Sequence, residues 1–325
     1  MTTLLERPAP APVPAARAPR RRSEWRHRVV PLLLVLAGIA VILYPVGATY
    51  WNNYHQRQFA QRYQDQTEKT APVTLNEALA KAEQYNAALP PGQLQDPWKP
   101  EQAATNAQHR AYLAQLNLFD AMARIRIPSI KVDLPVYHGT SDETLARGIG
   151  HLYGSTLPVG GPGTHAVLTG HSSLENATMF DHLPQVKVGD RFYVDVYGRT
   201  LAYEVDQVKV VLPDQLGDLV RTPGADQVTL VTCTPYAVNT HRLLVRGHRV
   251  AYDPAADPTR VATGMDWSIE SWMWPRLIGA GVGLLVLLVM VALWIRGDRR
   301  RARRRAALAA ARATKNNPTT PTEDV

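Results

Sequence analysis

Cysteine is nearly absent from this sequence: its 325 residues include one, Cys233. A single thiol excludes an intramolecular disulfide, so an exported chain of this kind holds either a free reactive group or a cysteine of no consequence. Clusters with metal-ligand spacing and phosphate-cradling glycine loops are also missing, so no cofactor and no bound metal are expected. Evenly spread basic charge is a third absence. Residues 1–28 carry seven Arg against two acids and residues 296–325 nine Lys/Arg against three, which is +5 and +6 of a total of +8, so residues 29–295 carry −3. Basicity confined to the two ends does not make a nucleic-acid-binding surface, and no nucleic-acid partner is expected.

Each basic end adjoins an uncharged apolar segment. Val29–Ala48 and Leu277–Ile295 are about twenty and nineteen residues long, lengths that fit a roughly 30 Å hydrocarbon core. Tyr44, Tyr50 and Trp51 flank the first, and Trp272 and Trp274 flank the second, as interfacial belts do. Lys/Arg bias puts both ends in the cytoplasm, which makes a two-pass membrane protein with residues 50–275 outside. A cleaved signal peptide is the other reading of the first segment. Its length and the lack of a small-x-small site favour an uncleaved anchor.

Along the chain, residues 1–28 form a basic cytoplasmic tail, disordered over 1–22, followed by a span at 29–48. An external helical extension covers 49–121, with helix-forming stretches at Leu75–Leu89, stopped by Pro90-Pro91-Gly92, and at about Glu101–Phe119. From Ala123 the texture changes to short strand-like runs: Arg124–Val136, Thr164–Thr169, Arg191–Tyr197, Thr200–Leu212, Val228–Thr232 and Leu243–Tyr252. Gly/Pro/Asp clusters separate them, and brief helical pieces are predicted near Asp142–Arg147 and Ala177–His182. Many short strands with turn signals indicate a mainly β domain, a closed barrel or a sandwich, over 122–253. A polar linker at 254–275, a span at 276–295 and a basic tail at 296–325 complete the chain.

The chemistry centres on Val228–Arg249. Two apolar runs around a Pro/Asn-containing connection read as an antiparallel hairpin. With strands about 4.8 Å apart, it returns Arg242 to the side of Cys233. A thiol beside a fixed cation is a candidate nucleophile with an oxyanion partner, although most lone cysteines are small buried hydrophobes. Acyl transfer also needs a proton partner. Of ten histidines, His171 is the best placed, because it follows the apolar run Ala166–Thr169 and Gly170 where a strand gives way to a polar loop. His151, His165, His182, His241 and His248 read as structural or surface residues.

Thr229-Leu230-Val231-Thr232-Cys233 resembles the TLxTC signature of sortases, the membrane-anchored cysteine transpeptidases of Gram-positive surfaces. Arg242 stands nine residues after the cysteine, as the family's arginine does, and Thr169-Gly170-His171 is similar to its histidine motif. The similarity runs over about Met122–Tyr252. It implies a closed eight-stranded β-barrel with short helices and a catalytic set of Cys233, His171 and Arg242. The two spans, the helical N-terminal extension and TPYAVNTHRLLVRG look like class C sortases, which polymerise pilins. That class carries a lid over its site, here 93–100, whose motif Asp96-Pro97-Trp98 matches. The resemblance implies that Asp96 pairs with Arg242 and that Trp98 covers the sulfur. The implied reaction cleaves an LPxTG-like signal between Thr and Gly through a thioester and passes it to a pilin lysine amine. A housekeeping sortase that uses a cell-wall precursor amine is the alternative within the family, and a non-catalytic surface scaffold is the alternative outside it. Some relatives bind calcium through acidic loops, but Asp214 and Asp218 do not by themselves make such a site. The implied partners are sorting-signal substrates, an amine acceptor and membrane lipid.

Overall fold

The computed structural model of the chain describes residues 21–90, 94, 96–98, 107–174, 176–258 and 269–316. Expectations for residues 1–20, for the helix stop at 91–92, for lid positions 93, 95, 99 and 100, for 101–106, for linker residues 259–268 and for 317–325 fall outside the described residues. The described chain clusters into two units: residues 45–269, and residues 1–44 with 270–325.

Helix α1 (Arg21–Lys69) contains the first apolar segment and continues past it. Within the 45–269 unit its end is tied to the barrel domain by Tyr63, whose hydroxyl donates to the Met122 carbonyl (3.2 Å) and accepts from the Tyr197 N–H (2.9 Å). Helix α2 (Pro72–Ala88) starts with a proline at its first position, where no N–H is needed, and buries Leu75, Leu79 and Ala82. The residue after it, Leu89, is extended (φ −68°, ψ 115°), as the residue before a proline prefers to be. Helix α3 (Ala107–Leu113) is shorter than the stretch expected to end at Phe119, because the chain leaves the helix at residues 114–119 in turns, with Leu116 at φ 46°.

The strands follow: β1 (Ala123–Ile127), β2 (Val132–His138), β3 (Ile149–His151), β4 (Thr164–Thr169), β5 (Arg191–Val196), β6 (Arg199–Val211), β7 (Asp226–Thr234) and β8 (His241–Val250). They close into a barrel in the order β1-β2-β3-β4-β7-β8-β6-β5. The barrel has two parallel pairs, β2 with β3 and β4 with β7. Helix α4 (Asp142–Arg147) lies between β2 and β3, capped by Ser141, whose Oγ accepts the Thr144 N–H at 3.3 Å. The piece expected to be helical at Ala177–His182 is instead a series of turns, with a 3₁₀ turn at Leu183–Gln185. Its apolar Ala177, Met179 and Phe180 are all buried, so packing decided the backbone there in place of helical periodicity.

Period-two alternation sorts the strands' side chains into two apolar clusters. Val228 and Leu230 of β7, Ala166 and Leu168 of β4, and Leu243 and Val245 of β8 join the main core. Their neighbours Val231, Val167 and Leu244 face the other way, into a second cluster with Leu152, Val211 and Leu219. Each Val or Leu side chain among them contributes roughly 1.5–3 kcal/mol when removed from water. The second cluster matters most here, because it is the floor on which the site rests.

In the other unit, helix α5 (Met273–Asn316) contains the second apolar segment. Both α1 and α5 are long and apolar enough to cross a membrane. A Cβ on Gly283 of α5 would lie 2.9 Å from the Ile39 side chain of α1, so the two helices touch there. Arg28 and Asp298 form a two-point ion pair at 2.6 and 2.7 Å.

Candidate active site

The β-branched residues Val228, Thr229, Val231 and Thr232 carry β7 to Cys233, its penultimate residue before the loop. In the β7–β8 register Cys233 lies directly opposite Arg242. Residues directly opposite share a face, and two-residue periodicity places both on the side of Val231 and Leu244. The hairpin expected from the sequence is therefore present, with a tighter loop than the two apolar runs suggest.

Arg242 uses its whole fork. Nε donates to Asp96 Oδ1 at 2.8 Å and Nη2 to Asp96 Oδ2 at 2.7 Å, while Nη1 reaches the carbonyls of Asn239 (3.2 Å) and His241 (3.1 Å). Both side chains of the pair are buried, at 8% and 5% exposure. Trp98, two residues after Asp96, stacks under the guanidinium with 4.7 Å from Cζ to the ring centroid. Its indole Nε1 donates to His171 Nδ1 at 3.4 Å. An indole only donates, so Nδ1 is the accepting nitrogen and the ring proton sits on Nε2. Leu94 and Trp98 also pack on the second apolar cluster, beside Leu216 and Leu219 of the β6–β7 connection.

The electrostatics hold the chemistry at rest. Cys233 is buried, which pushes its thiol up to about 11; Arg242 opposes that rise and Asp96 adds to it. Burial also lowers His171 from its ordinary value, with a small opposing contribution from Asp142. Thiol and imidazole are therefore both neutral near pH 7 while the Asp96–Trp98 segment is seated. Among the described residues no group of three His, Cys, Asp or Glu side chains is placed to hold a metal ion. Asp218 is occupied by Lys209 (2.6 Å) and Gln207 (3.1 Å).

The structure brings Cys233, Arg242, His171, Asp96 and Trp98 into one neighbourhood. The remaining histidines serve elsewhere. His151 is buried between Thr156 and Tyr112, and His165 bonds Thr229 Oγ1 at 2.7 Å. Sequence reasoning missed Ser172, whose buried Oγ donates to the Cys233 carbonyl at 2.7 Å. A serine in a polar loop carries no signal of its partner until the strand beside it is known.

A family model described as "Sortase domain" matches residues 125–250. Sortase A of Bacillus anthracis is 31% identical over 137 residues, 42% of this chain, and the chain spans 63% of that relative's length. Among solved structures, sortase C-1 from Actinomyces oris is 53% identical with a TM-score of 0.55, covering 55% of this chain and 99% of that one. A lid mutant of sortase A from Corynebacterium diphtheriae is 49% identical with a TM-score of 0.54, covering 57% and 98%.

Proposed function

The chain belongs to the sortase family, and from that premise we propose that it is a class C-like cysteine transpeptidase that joins pilin subunits. The substrate is a surface protein with an LPxTG-like sorting signal. Cys233 Sγ attacks the Thr carbonyl carbon, and its proton passes to His171. Arg242 stabilises the oxyanion of the tetrahedral intermediate. When that intermediate collapses, His171 protonates the departing Gly amine and a thioester to Cys233 remains. A lysine side-chain amine of the next pilin then attacks the thioester, forming an isopeptide bond and releasing the thiol. One amide is exchanged for another, so no external energy source is required.

The observation that carries this reading is the Asp96–Trp98 segment, bonded to Arg242 and His171 together. In this reading the segment acts as a lid, and together with the likeness to sortase C-1 it supports the class C role. A housekeeping role, with a cell-wall precursor amine as acceptor, is favoured by the likeness to relatives named sortase A. The experiment is to form the thioester enzyme with an LPxTG peptide and then offer a pilin bearing its acceptor lysine or a wall-precursor amine. Faster resolution by the pilin supports polymerisation; faster resolution by the precursor amine supports wall anchoring.

For the arrangement in the cell we propose two spans, at 29–48 and 276–295, with tails 1–28 and 296–325 in the cytoplasm. The extension 49–121, the lid 93–100, the catalytic domain 122–253 and the linker 254–275 are then outside. The apolar segments of α1 and α5 support the spans, and the basic ends support the orientation.

A further inference from the structure

The parallel ladder between β4 and β7 pairs Thr164 with Asp226 and runs to Thr169 with Val231, a constant offset of 62 residues. Carried two residues further, the same offset sets His171 opposite Cys233. The Gly170 N–H still obeys the ladder and donates to the Val231 carbonyl at 3.0 Å. In a regular parallel ladder the next two bonds run from the Cys233 N–H to the Gly170 carbonyl and from the Ser172 N–H to the Cys233 carbonyl. Side-chain hydroxyls make these connections instead. Thr232 Oγ1 donates to the Gly170 carbonyl at 2.7 Å, and Ser172 Oγ donates to the Cys233 carbonyl at 2.7 Å. Both side chains are buried.

The substitution is reciprocal. The hydroxyl beside the cysteine holds the backbone beside the histidine, and the hydroxyl beside the histidine holds the backbone of the cysteine. The strands have to part here. Gly170 is walled in, since a Cβ on it would lie 2.6 Å from Ile149 and 2.7 Å from Phe180. Beyond it the chain turns through Ser173 at φ 69°, whose N–H is held by Asp181. A hydroxyl reaches past its own backbone, so it satisfies the two buried carbonyls after the main chains have separated. Ser173 adds a third tie, its Oγ accepting the Ala237 N–H of the β7–β8 connection at 2.7 Å.

We infer that Ser172 and Thr232 are positioning residues, two hydroxyls that splice the parted ends of β4 and β7 and thereby set His171 against Cys233. The inference rests on the reading that these two side chains work as a pair. Losing either hydroxyl leaves a buried carbonyl without its donor and frees the imidazole-bearing loop to drift. Displacement of reacting groups by about 1 Å can cost on the order of 10²-fold in rate.

The test uses the full chain in detergent, as wild type, Ser172→Ala, Ser172→Thr, Thr232→Val, Thr232→Ser and His171→Ala. Three quantities are measured: the pH profile of Cys233 alkylation by iodoacetamide, the kcat and KM for cleavage of an LPxTG peptide, and the melting temperature. Ser172→Ala and Thr232→Val are expected to lower kcat by roughly 10- to 100-fold at nearly unchanged KM. Their alkylation profiles should move to that of His171→Ala. Ser172→Thr and Thr232→Ser keep a hydroxyl and should stay within about threefold of wild type, a rescue that a merely structural role for packing volume does not predict. Wild-type kcat and profile in Ser172→Ala, or no recovery in Ser172→Thr, overturns the inference. A wild-type alkylation profile already identical to that of His171→Ala overturns it too. If Thr232→Val does not fold, the Ser172 pair decides alone. If wild type cleaves no peptide, the transpeptidase reading fails separately, and the alkylation profiles still decide whether the hydroxyls set the pair.

Discussion

Arg242 and Asp96, 146 residues apart in sequence, meet through two parallel hydrogen bonds of 2.8 and 2.7 Å. The guanidinium fork that is proposed to receive the oxyanion of the substrate is already filled by a carboxylate, and Trp98 lies against its face. An exposed ion pair of this kind is worth about 1 kcal/mol or less. This one is buried on both sides, where separating the partners without replacement is far more costly. Opening therefore requires something that takes over the fork, and a substrate carbonyl turning into an oxyanion is chemically suited to that.

Removing the lid contacts should wake the thiol. In Asp96→Ala with Trp98→Ala, water reaches Cys233, the carboxylate that raises its pKa is gone, and Arg242 remains beside it. The pKa then falls from about 11 toward the ordinary thiol range. Each unit of that fall gives about tenfold more thiolate at pH 7. Alkylation of Cys233 by iodoacetamide should accelerate by roughly tenfold or more, and peptide hydrolysis should rise with it. Labelling at the wild-type rate would mean that these two residues do not close the site.

Arg242→Ala should lower kcat/KM by roughly 10² or more, the loss typical of an oxyanion donor. Arg242→Lys should recover little of this. The fork contacts four acceptor atoms at once in the resting state, and an ammonium cannot reproduce its planar two-point geometry. Near-wild-type activity in the lysine variant would reduce the role of Arg242 to that of a point charge. His171→Ala should lose a similar amount, as expected when a proton donor is removed.

Acid should loosen the fold through a residue outside the site. Burial lowers His151 to about 4, and its Nε2 is held by the Thr156 carbonyl at 2.8 Å. The unfolded chain takes up this proton near pH 6.5 and the folded chain only near pH 4. Stability from this group is therefore complete above about pH 6.5 and is lost as the pH falls toward 4, by up to ~3 kcal/mol. Melting curves between pH 7 and pH 4 should show a steeper decline for wild type than for His151→Gln. Parallel declines would show that carboxylates alone govern the acid limb.

Much of this architecture is legible in the sequence, for identifiable reasons. Strand positions are legible where a short apolar run stands between Gly/Pro clusters, as in Thr164–Thr169, whose bounds coincide with β4. The helical piece expected near Asp142–Arg147 coincides with α4. Strand β3 was not readable, since three residues, Ile149-Gly150-His151, are too few to show a period and are held by their neighbours. The piece at 177–182 departs from the helix its residues predict, because burial of Ala177, Met179 and Phe180 overrides local propensity. At the site, Cys233 and Arg242 were legible as a hairpin pair. The Ser172 and Thr232 hydroxyls were not, because their partners are backbone atoms of another strand.

Topology has its own test. Reporters at both termini and at an inserted tag beside Leu201 should place the two ends in the cytoplasm and the tag outside. A terminus found outside would contradict the two-span arrangement.

The most direct measurement is intact mass spectrometry of the full chain after incubation with an LPxTG peptide in the absence of any amine acceptor. The account predicts an adduct equal to the peptide acylated through its Thr carbonyl, located on Cys233, released by hydroxylamine, and absent from Cys233→Ala. Peptide cleavage that persists in Cys233→Ala, or an adduct on any other residue, would contradict it.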